Sequence, residues 1–280
     1  MVEADLHLHT THSDGRLTPT QLVELVAAKG LRAAAITDHD STEGIPEALE
    51  AASRFPQLTI IPGVELSTDI PGNEIHMLGY FIRYEDEAFQ QTLRSFRDGR
   101  VDRAREMVDK LAALGLPLDW ERVCELAEGA VGRPHIAQAM VEKGYITYPQ
   151  EAFTHYIGRN GPAYAERDKM TPAEAVQYIL GVGGVPVLAH PHVVDNVELL
   201  LPELAEAGLA GIEVYYKEYT PKDVETFGAM ADRYALIPCG GSDYHAFGTP
   251  GEEEPGVSGP PLVIVDRLRE RAAELSASRQ

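Results

Sequence analysis

The N-terminal segment concentrates imidazoles and carboxylates in one short stretch, DLHLHTTHSDG, residues 5–15. His7 and His9 stand two apart on a predicted strand, so both side chains should leave the same face. Asp14 follows in the loop after that strand. These residue types can bind a metal ion or transfer protons, although a single histidine is more often solvated or hydrogen-bonded. The stretch therefore needs partners elsewhere in the chain before it indicates a site.

Similar residues recur where five later apolar segments end: AAAITD, IIPGVE, EIHML, VPVLAH and IPCGG. In β/α barrels, side chains at the carboxyl ends of strands converge on one mouth, where sites are built. Mixed imidazole and carboxylate ligands suit Mn, Fe or Zn, and the lack of thiolates disfavours a structural zinc. The pattern predicts a metal site, with these further candidates: Asp38, His39, Glu65, His76, His190, Asp243 and His245.

Short apolar runs alternate with amphipathic helical stretches through most of the chain. Besides the segments above, GIEVYY reads as a strand, and PLVIV is a further candidate strand. Repeated β–α units predict parallel strands with right-handed crossovers, in a sheet either closed into a barrel or left open. The first helix should begin after an N-cap at Thr18 and stop at Gly30.

A mostly helical stretch interrupts this rhythm at residues 86–170. Its longest predicted helix is FQQTLRSFRDGRVDRAREMVDKLAALG, although Gly99 weakens it. We interpret residues 86–170 as an inserted helical subdomain that caps the substrate site. Residues 1–85 and 171–280 would then form one discontinuous metal-binding barrel.

Length and charge narrow the classes of function. A chain of 280 residues can bury one large α/β domain, or a domain with an insertion. The net charge of −20 argues against a binder of long nucleic acids but allows a small anionic substrate held by local cations. We find no signal-peptide pattern, no apolar run long enough to span a bilayer, and no disulfide spacing for Cys124 and Cys239. These features predict a cytoplasmic protein without a membrane partner, and leave its oligomeric state open.

In chain order, the motifs HLHTTHSDG, ITDHD, GVE, EIHMLG, AHP and GSDYH resemble those of the PHP (polymerase and histidinol phosphatase) family. The likeness covers nearly the whole chain and is greatest to the bacterial nucleoside 3′,5′-bisphosphate phosphatases. The resemblance implies an α/β fold, a distorted (β/α)7 TIM-like barrel with the helical insertion. It also implies three divalent metal ions, Mn²⁺ in the first place and Fe²⁺ or Zn²⁺ as alternatives. Their ligands would be His7, His9, Glu65 and Asp243; Glu65, His76 and His190; and Asp14, His39 and His245.

The charge of such a site favours one reaction class. Three divalent ions against three carboxylate ligands leave a surplus of about three positive charges. A phosphate monoester dianion with a hydroxide would cancel that surplus, whereas a neutral amide would not. Attack by a metal-activated hydroxide needs no serine or cysteine nucleophile. We assign candidate catalytic roles to Asp38, which would orient a ligand or a water, and to His192.

Several residues of the insertion could bind the rest of the substrate. Arg100 and Arg103 match an RxxR segment of the family, whereas Arg94 and Arg97 could equally belong to a solvated helix face. Arg133 precedes a proline at a predicted helix start, where exposed amides favour an anion and a guanidinium fork suits phosphate. We add His135, its neighbour but one, and Tyr164, which is placed to meet a base.

Two departures from the family pattern leave the exact substrate in doubt. Where relatives often carry a lysine before the proline of GKPxY, this chain has Gly161, and Arg159 is the nearest substitute. Where many relatives continue AHP with Gly-Arg, this chain has His192 and Val193, and His192 is a candidate replacement contact.

The main hypothesis is a metal-dependent phosphoesterase that removes the 3′-phosphate of nucleoside 3′,5′-bisphosphates. It could also trim short oligoribonucleotides from the 5′ end. The alternative enzyme is a histidinol-phosphate-type phosphomonoesterase. The non-enzymatic alternative is a metal-binding module like those embedded in polymerases, which the predicted cap makes less attractive.

Overall fold

The sheet that carries the site is seen in a computed structural model describing residues 2–70, 73–127, 131–166, 170–248 and 252–277. Within these residues seven strands form one sheet, in which every strand lies beside its neighbours in sequence. The strands are β1 (Ala4–Asp5), β2 (Ala33–Ile36), β3 (Thr59–Ile70), β4 (Asn73–Tyr80), β5 (Val185–Leu188), β6 (Gly211–Tyr216) and β7 (Ile237–Gly241).

The sheet closes on itself between its first and last strands. The backbone N–H of Leu6 donates to the carbonyl of Gly240 at 3.2 Å, and Leu8 forms a parallel bridge with Tyr244. A Cβ on Gly241 would lie 2.4 Å from the backbone nitrogen of His7, so this closure requires a glycine. The closed alternative is therefore confirmed, and the ends of β1 and β7 are brought side by side.

Helices surround this sheet and also form the predicted insertion. Thr18 caps the first helix by a reciprocal capping box with Gln21, and Gly30 follows that helix with a φ of +79°. The helices are α1 (Pro19–Ala28), α2 (Ile45–Ala52), α3 (Glu87–Ala113), α4 (Trp120–Leu126), α5 (Arg133–Glu142), α6 (Pro149–Ala152), α7 (Pro172–Gly181), α8 (Val197–Ala207), α9 (Pro221–Arg233) and α10 (Val263–Ala277). A π-helical turn, Phe153–Ile157, continues α6.

The expectation of an all-parallel sheet is wrong for β4. This strand runs antiparallel to both β3 and β5, and it pairs with β3 from Gly63↔Tyr80 to Ile70↔Asn73. Only two residues separate Ile70 from Asn73 in the sequence, so no crossover helix fits between the strands, and a short connection can join only antiparallel strands. His76 consequently lies in the middle of a hairpin strand rather than at a strand end.

The candidate strand PLVIV is also wrong, because Val263 begins helix α10. Two prolines, Pro260 and Pro261, precede it and cannot donate to a ladder. The first and last strands already contact each other, so the sheet offers this segment no free edge.

The helical stretch from α3 to the π-helical turn has a hydrophobic cluster made from its own residues. Met107, Leu111, Val123, Ile136 and Met140 are fully buried there. Other buried clusters fill the barrel and the space between barrel and outer helices. The division into a barrel and a cap at residues 86–170 stays a prediction. No helix among the described residues combines the length and apolar character of a membrane span.

Two glycine substitutions test the closure of the barrel. Gly241→Ala should destabilise the protein by about 2 kcal/mol or more, because the new methyl would press against the backbone of His7, just after β1. Gly99→Ala, at a half-buried position of α3 where nothing lies within 4 Å of the new Cβ, should stabilise it by about 0.5–1 kcal/mol. Chemical denaturation measures both changes, and equal effects would contradict a tight closure.

Candidate metal centre

Glu65, on β3, is the central residue of the site and is 1 % exposed. Its Oε2 lies 3.2 Å from His7 Nε2 and 3.1 Å from His39 Nδ1. Altogether, nitrogens of five imidazoles lie within 3.3 Å of its two oxygens: those of His7, His9, His39, His76 and His190. Residues as far apart in sequence as His7 and His190 thus meet at a single carboxylate.

Two more carboxylates complete this cluster. Asp243 Oδ1 lies 3.1 Å from His9 Nε2, and Asp14 Oδ1 lies 3.2 Å from His245 Nε2. The rings of His9 and His245 stack with their centroids 4.1 Å apart. All nine predicted ligand positions therefore lie together at one mouth of the barrel.

Among the described residues, three groups of side chains have candidate ligand atoms within 4.8 Å of one another. His190 belongs to none of the three, although it reaches Glu65, while His9 and His39 each belong to two. These groups differ in membership from the three predicted ligand sets, which stay a prediction. The groups are His7, His9, Glu65 and Asp243; His39, Glu65 and His76; and His9, Asp14, His39 and His245.

The buried polar atoms of this cluster fit bound metal ions. Within the described part of the chain, no well-aligned hydrogen bond reaches the buried ring nitrogens of His9, Asp14 Oδ1, His39 Nδ1 or His190 Nδ1. Three of these atoms nevertheless lie 3.1–3.2 Å from an ion-pair partner in the cluster. Leaving such atoms unpaired costs about 1–3 kcal/mol each. Imidazole nitrogens and carboxylate oxygens are also the donors that Mn, Fe and Zn accept. The side chains are arranged for ligands that the protein itself does not supply.

Electrostatic interactions within the cluster shift the pKa of its members strongly. Burial alone would raise the pKa of Glu65, but the nearby imidazoles of His39 and His7 hold it well below the usual range. Burial lowers the pKa of His39 to about 3. For His76 and His245, neighbouring carboxylates outweigh burial and raise the pKa to about 9. Without metal, at least these two imidazoles hold a proton at pH 7.

Glu213 and Asp5 support the cluster from below, and the sequence reasoning missed both. Glu213 is fully buried on β6; its Oε1 lies 3.1 Å from His7 Nδ1, and its Oε2 accepts the N–H of His190 at 2.7 Å. Asp5 accepts the N–H groups of Ser242 and His7 at 2.9 and 3.3 Å. The sequence did offer a signal for Glu213, which is the single acidic residue within the apolar strand GIEVYY. A carboxylate such as Glu213 fixes the orientation of a ligating imidazole, whereas Asp5 holds the backbone next to the ligands.

Asp243 is oriented by two donors that the sequence reasoning also missed. Its Oδ2 accepts the hydroxyl of Tyr216 at 2.7 Å and lies 3.1 Å from Lys217 Nζ. Asp243 and His190 both have positive φ values, 49° and 25°. Such strain in non-glycine residues is typical of functional sites. These contacts leave Oδ1 of Asp243 directed at the histidines.

The two candidate catalytic residues lie in different surroundings. Asp38 is buried and accepts hydrogen bonds from Thr10 N–H at 2.7 Å and from the hydroxyls of Thr10 and Ser13 at 2.6 Å. It therefore holds the loop that leads to Asp14, which favours a positioning role. His192 is exposed, and its ring centroid lies 5.3 Å from that of Tyr216.

A cavity of about 180 Å³ opens beside the cluster, between barrel and helices. Arg100 donates from Nε to Asp40 at 2.7 Å and also contacts Ser67, while Arg103 donates to the carbonyl of Ala165 at 2.8 Å. Three predicted arginines and three predicted metal ligands share this cavity. Its lining includes Arg100, Arg103, Arg133, Asp14, His39, His76, Glu74, Met107, Val131 and Phe153.

His135 and Tyr164 do not line this cavity. His135 is buried and its Nδ1 accepts the N–H of Gly132 at 3.0 Å. The ring of Tyr164 lies 5.2 Å from the guanidinium carbon of Arg103 and 5.9 Å from that of Arg159. Arg159 itself makes a bidentate pair with Asp69, at 2.8–3.0 Å. Tyr164 thus packs on arginines rather than facing the cavity directly.

Several known proteins are similar to this chain over most of its length. The family model for the PHP domain matches residues 5–110. A 3′,5′-nucleoside bisphosphate phosphatase of Chromobacterium violaceum is 35 % identical over 90 % of both chains. A 5′-3′ exoribonuclease of Haemophilus influenzae is 32 % identical over 86 % of this chain and 89 % of the relative. A solved structure described as a metal-dependent phosphoesterase from Bifidobacterium adolescentis superposes with a TM-score of 0.85 at 30 % identity, covering 96 % of both chains.

Glu213→Gln tests the support beneath His7. The substitution keeps the shape but removes the charge that orients the imidazole, so apparent metal affinity should fall about tenfold to a hundredfold. Competition with a chelator of known affinity measures the change. The exposed Glu203→Gln on α8 is the matched control. A metal affinity equal to that of the control would contradict this role of Glu213.

The raised pKa of about 9 at His76 and His245 predicts a pH-dependent metal affinity. A protonated imidazole cannot bind metal, so raising the pH from 7 towards 9 removes a competitor and strengthens binding. Apparent affinity should rise by up to about tenfold per pH unit for each proton released. Chelator-buffered titrations at pH 7 and pH 8 measure the slope. His76→Gln should reduce that slope, and a flat profile for the native protein would refute the prediction.

Proposed function

This chain belongs to the PHP family and is a metal-dependent phosphoesterase, and from that premise we propose that it removes the 3′-phosphate of nucleoside 3′,5′-bisphosphates. We extend the proposal to trimming of short oligoribonucleotides from the 5′ end. The observation that supports it best is the arginine cavity beside the metal cluster, which could hold a second phosphate while the cluster holds the scissile one. A histidinol-phosphate-type monoester has no second phosphate to use these arginines.

The proposed cofactor is a set of three divalent ions, Mn²⁺ in the first place and Fe²⁺ or Zn²⁺ as alternatives. Bound ions would lower the pKa of water and supply positive charge to phosphate oxygens. Glu65 would be shared between sites, since both of its oxygens face imidazoles. The proposed ligands are His7, His9, Asp14, His39, Glu65, His76, His190, Asp243 and His245.

Residues 86–170 act in this proposal as the substrate cap. Arg100 is held by buried Asp40 and Arg103 by a backbone carbonyl, so both side chains are oriented before substrate arrives. Arg133 extends from the first turn of α5, where the helix N-terminus also favours an anion. A planar guanidinium can bind two phosphate oxygens at once.

The remaining proposed residues orient the machinery or the rim of the site. Asp38 keeps the loop to Asp14 in place through Thr10 and Ser13. His192 stands at the exposed rim beside Tyr216, where it could contact the leaving group. His135 and Tyr164 would act by supporting the N-terminus of α5 and Arg103, respectively.

Arg133→Met tests the two-phosphate proposal. Loss of a charge-assisted contact should reduce kcat/KM for adenosine 3′,5′-bisphosphate by about tenfold to a hundredfold, with a much smaller effect on adenosine 3′-monophosphate. Phosphate release by the Mn²⁺-loaded protein measures both. Arg122→Met, on the exposed face of α4, is the matched control. Equal losses on both substrates, or faster hydrolysis of histidinol phosphate by the native protein, would contradict the proposal.

A further inference from the structure

A carboxylate lies inside the cavity that we assign to the second phosphate. Glu74, on β4, lines this cavity together with Arg100, Arg103 and Arg133. Its Oε2 accepts a hydrogen bond from Arg133 Nη2 at 2.5 Å, and its Oε1 lies 3.8 Å from Nε2 of His76. Among the described residues of the lining, Glu74 and Asp14 are the carboxylates, and Asp14 belongs to the metal cluster. A negative charge at an anion site needs an explanation.

Holding the cap in place does not by itself explain Glu74. The barrel contacts arginines of the helical segment by other pairs, Asp69 with Arg159 and Glu43 with Arg97, the latter at 2.6 Å. The lining of the cavity includes no residue of these two pairs, so they can fasten the helices without facing a ligand. Glu74 instead pairs with the guanidinium of Arg133, which the second phosphate of the substrate would bind.

A phosphate bound to Arg133 must share or replace the contact with Glu74. A phosphate monoester carries about two negative charges at pH 7, so sharing places like charges side by side in a partly buried cavity. The Arg133 and Glu74 side chains are only 22 % and 23 % exposed, which limits screening by water. Whether the phosphate shares Arg133 with Glu74 or displaces Glu74 from it, the presence of Glu74 weakens the binding of the phosphate.

We propose that Glu74 competes with the second phosphate for Arg133 and thereby promotes release of the 5′-nucleotide product. This inference rests on the proposed function: removal of the 3′-phosphate leaves a product that keeps its 5′-phosphate. That product would otherwise keep the same contacts with the arginines as the substrate. Glu74 restores the ion pair as the nucleotide leaves, and so limits product inhibition without contacting the reacting atoms.

Glu74→Gln tests this competition directly. Glutamine keeps the length and one oxygen acceptor for Arg133 but removes the charge. The Kd of 5′-AMP for the Mn²⁺-loaded protein, measured by calorimetry, should fall about five- to tenfold. The inhibition constant of 5′-AMP against bisphosphate hydrolysis should fall by a similar factor. A 3′-monophosphate substrate, which has no second phosphate, should show no matching decrease in KM.

Asp69→Asn is the control, because it weakens an arginine pair of the helical segment outside the cavity. It should leave the Kd of 5′-AMP within twofold of the native value. Three results would overturn the inference. The Kd of 5′-AMP could be unchanged or higher in Glu74→Gln, or it could fall by the same factor in Asp69→Asn. In the third, 5′-AMP binds neither the native protein nor Glu74→Gln. Calorimetry needs no turnover. Tighter binding in a protein without bisphosphate hydrolysis would therefore sustain the competition between Glu74 and a phosphate for Arg133, while refuting the proposed function and with it the role in product release.

Discussion

The structure depends on how one buried carboxylate is neutralised. Glu65 is surrounded by imidazoles on both oxygens, and several buried nitrogens around it lack a hydrogen bond. A cluster of this kind is expensive to bury unless cations replace the missing partners. At one mouth of the barrel, the fold therefore holds buried nitrogen and oxygen atoms that are available to bind cations. Closure of the sheet between β1 and β7 makes this possible, because it brings His7 and Asp243 within 3.4 Å of each other, in one group of candidate ligands with Glu65.

The strand-end ligands could be predicted because their signal is local. His7, His9 and Asp243 follow short apolar runs, and parallel strands in a barrel deliver such positions to one end. His76 was found by its motif, although its place in an antiparallel hairpin was not foreseen. The pairing direction of β4 relative to β3 depends on a connection of two residues, too short for a crossover, and the strand itself carries no signal for this direction. The PLVIV segment shows the same limit, since short apolar runs fit either a strand or a buried helix.

The supporting contacts could not be predicted because they depend on partners distant in sequence. Glu213 meets His7 across 206 residues, and Tyr216 and Lys217 orient Asp243 from a neighbouring strand. Arginines of the helical segment were identifiable by spacing, but their carboxylate partners were not. Tyr164 illustrates the difference: its sequence position suggested a contact with a base, and its ring lies against Arg103.

The β3–β4 hairpin carries residues of the metal cluster and carboxylates that pair with arginines of the helical segment. One strand carries Glu65 and Asp69, and the other carries His76 and Glu74, so cluster and arginine partners are built on a single rigid ribbon. Anyone who transplants a different helical segment onto this barrel to change its substrate must redesign the outer half of the ribbon as well. Because the two strands pair continuously, a shift of one residue in register there would turn Glu65 away from the barrel mouth. The hairpin and the helical segment should therefore be exchanged together.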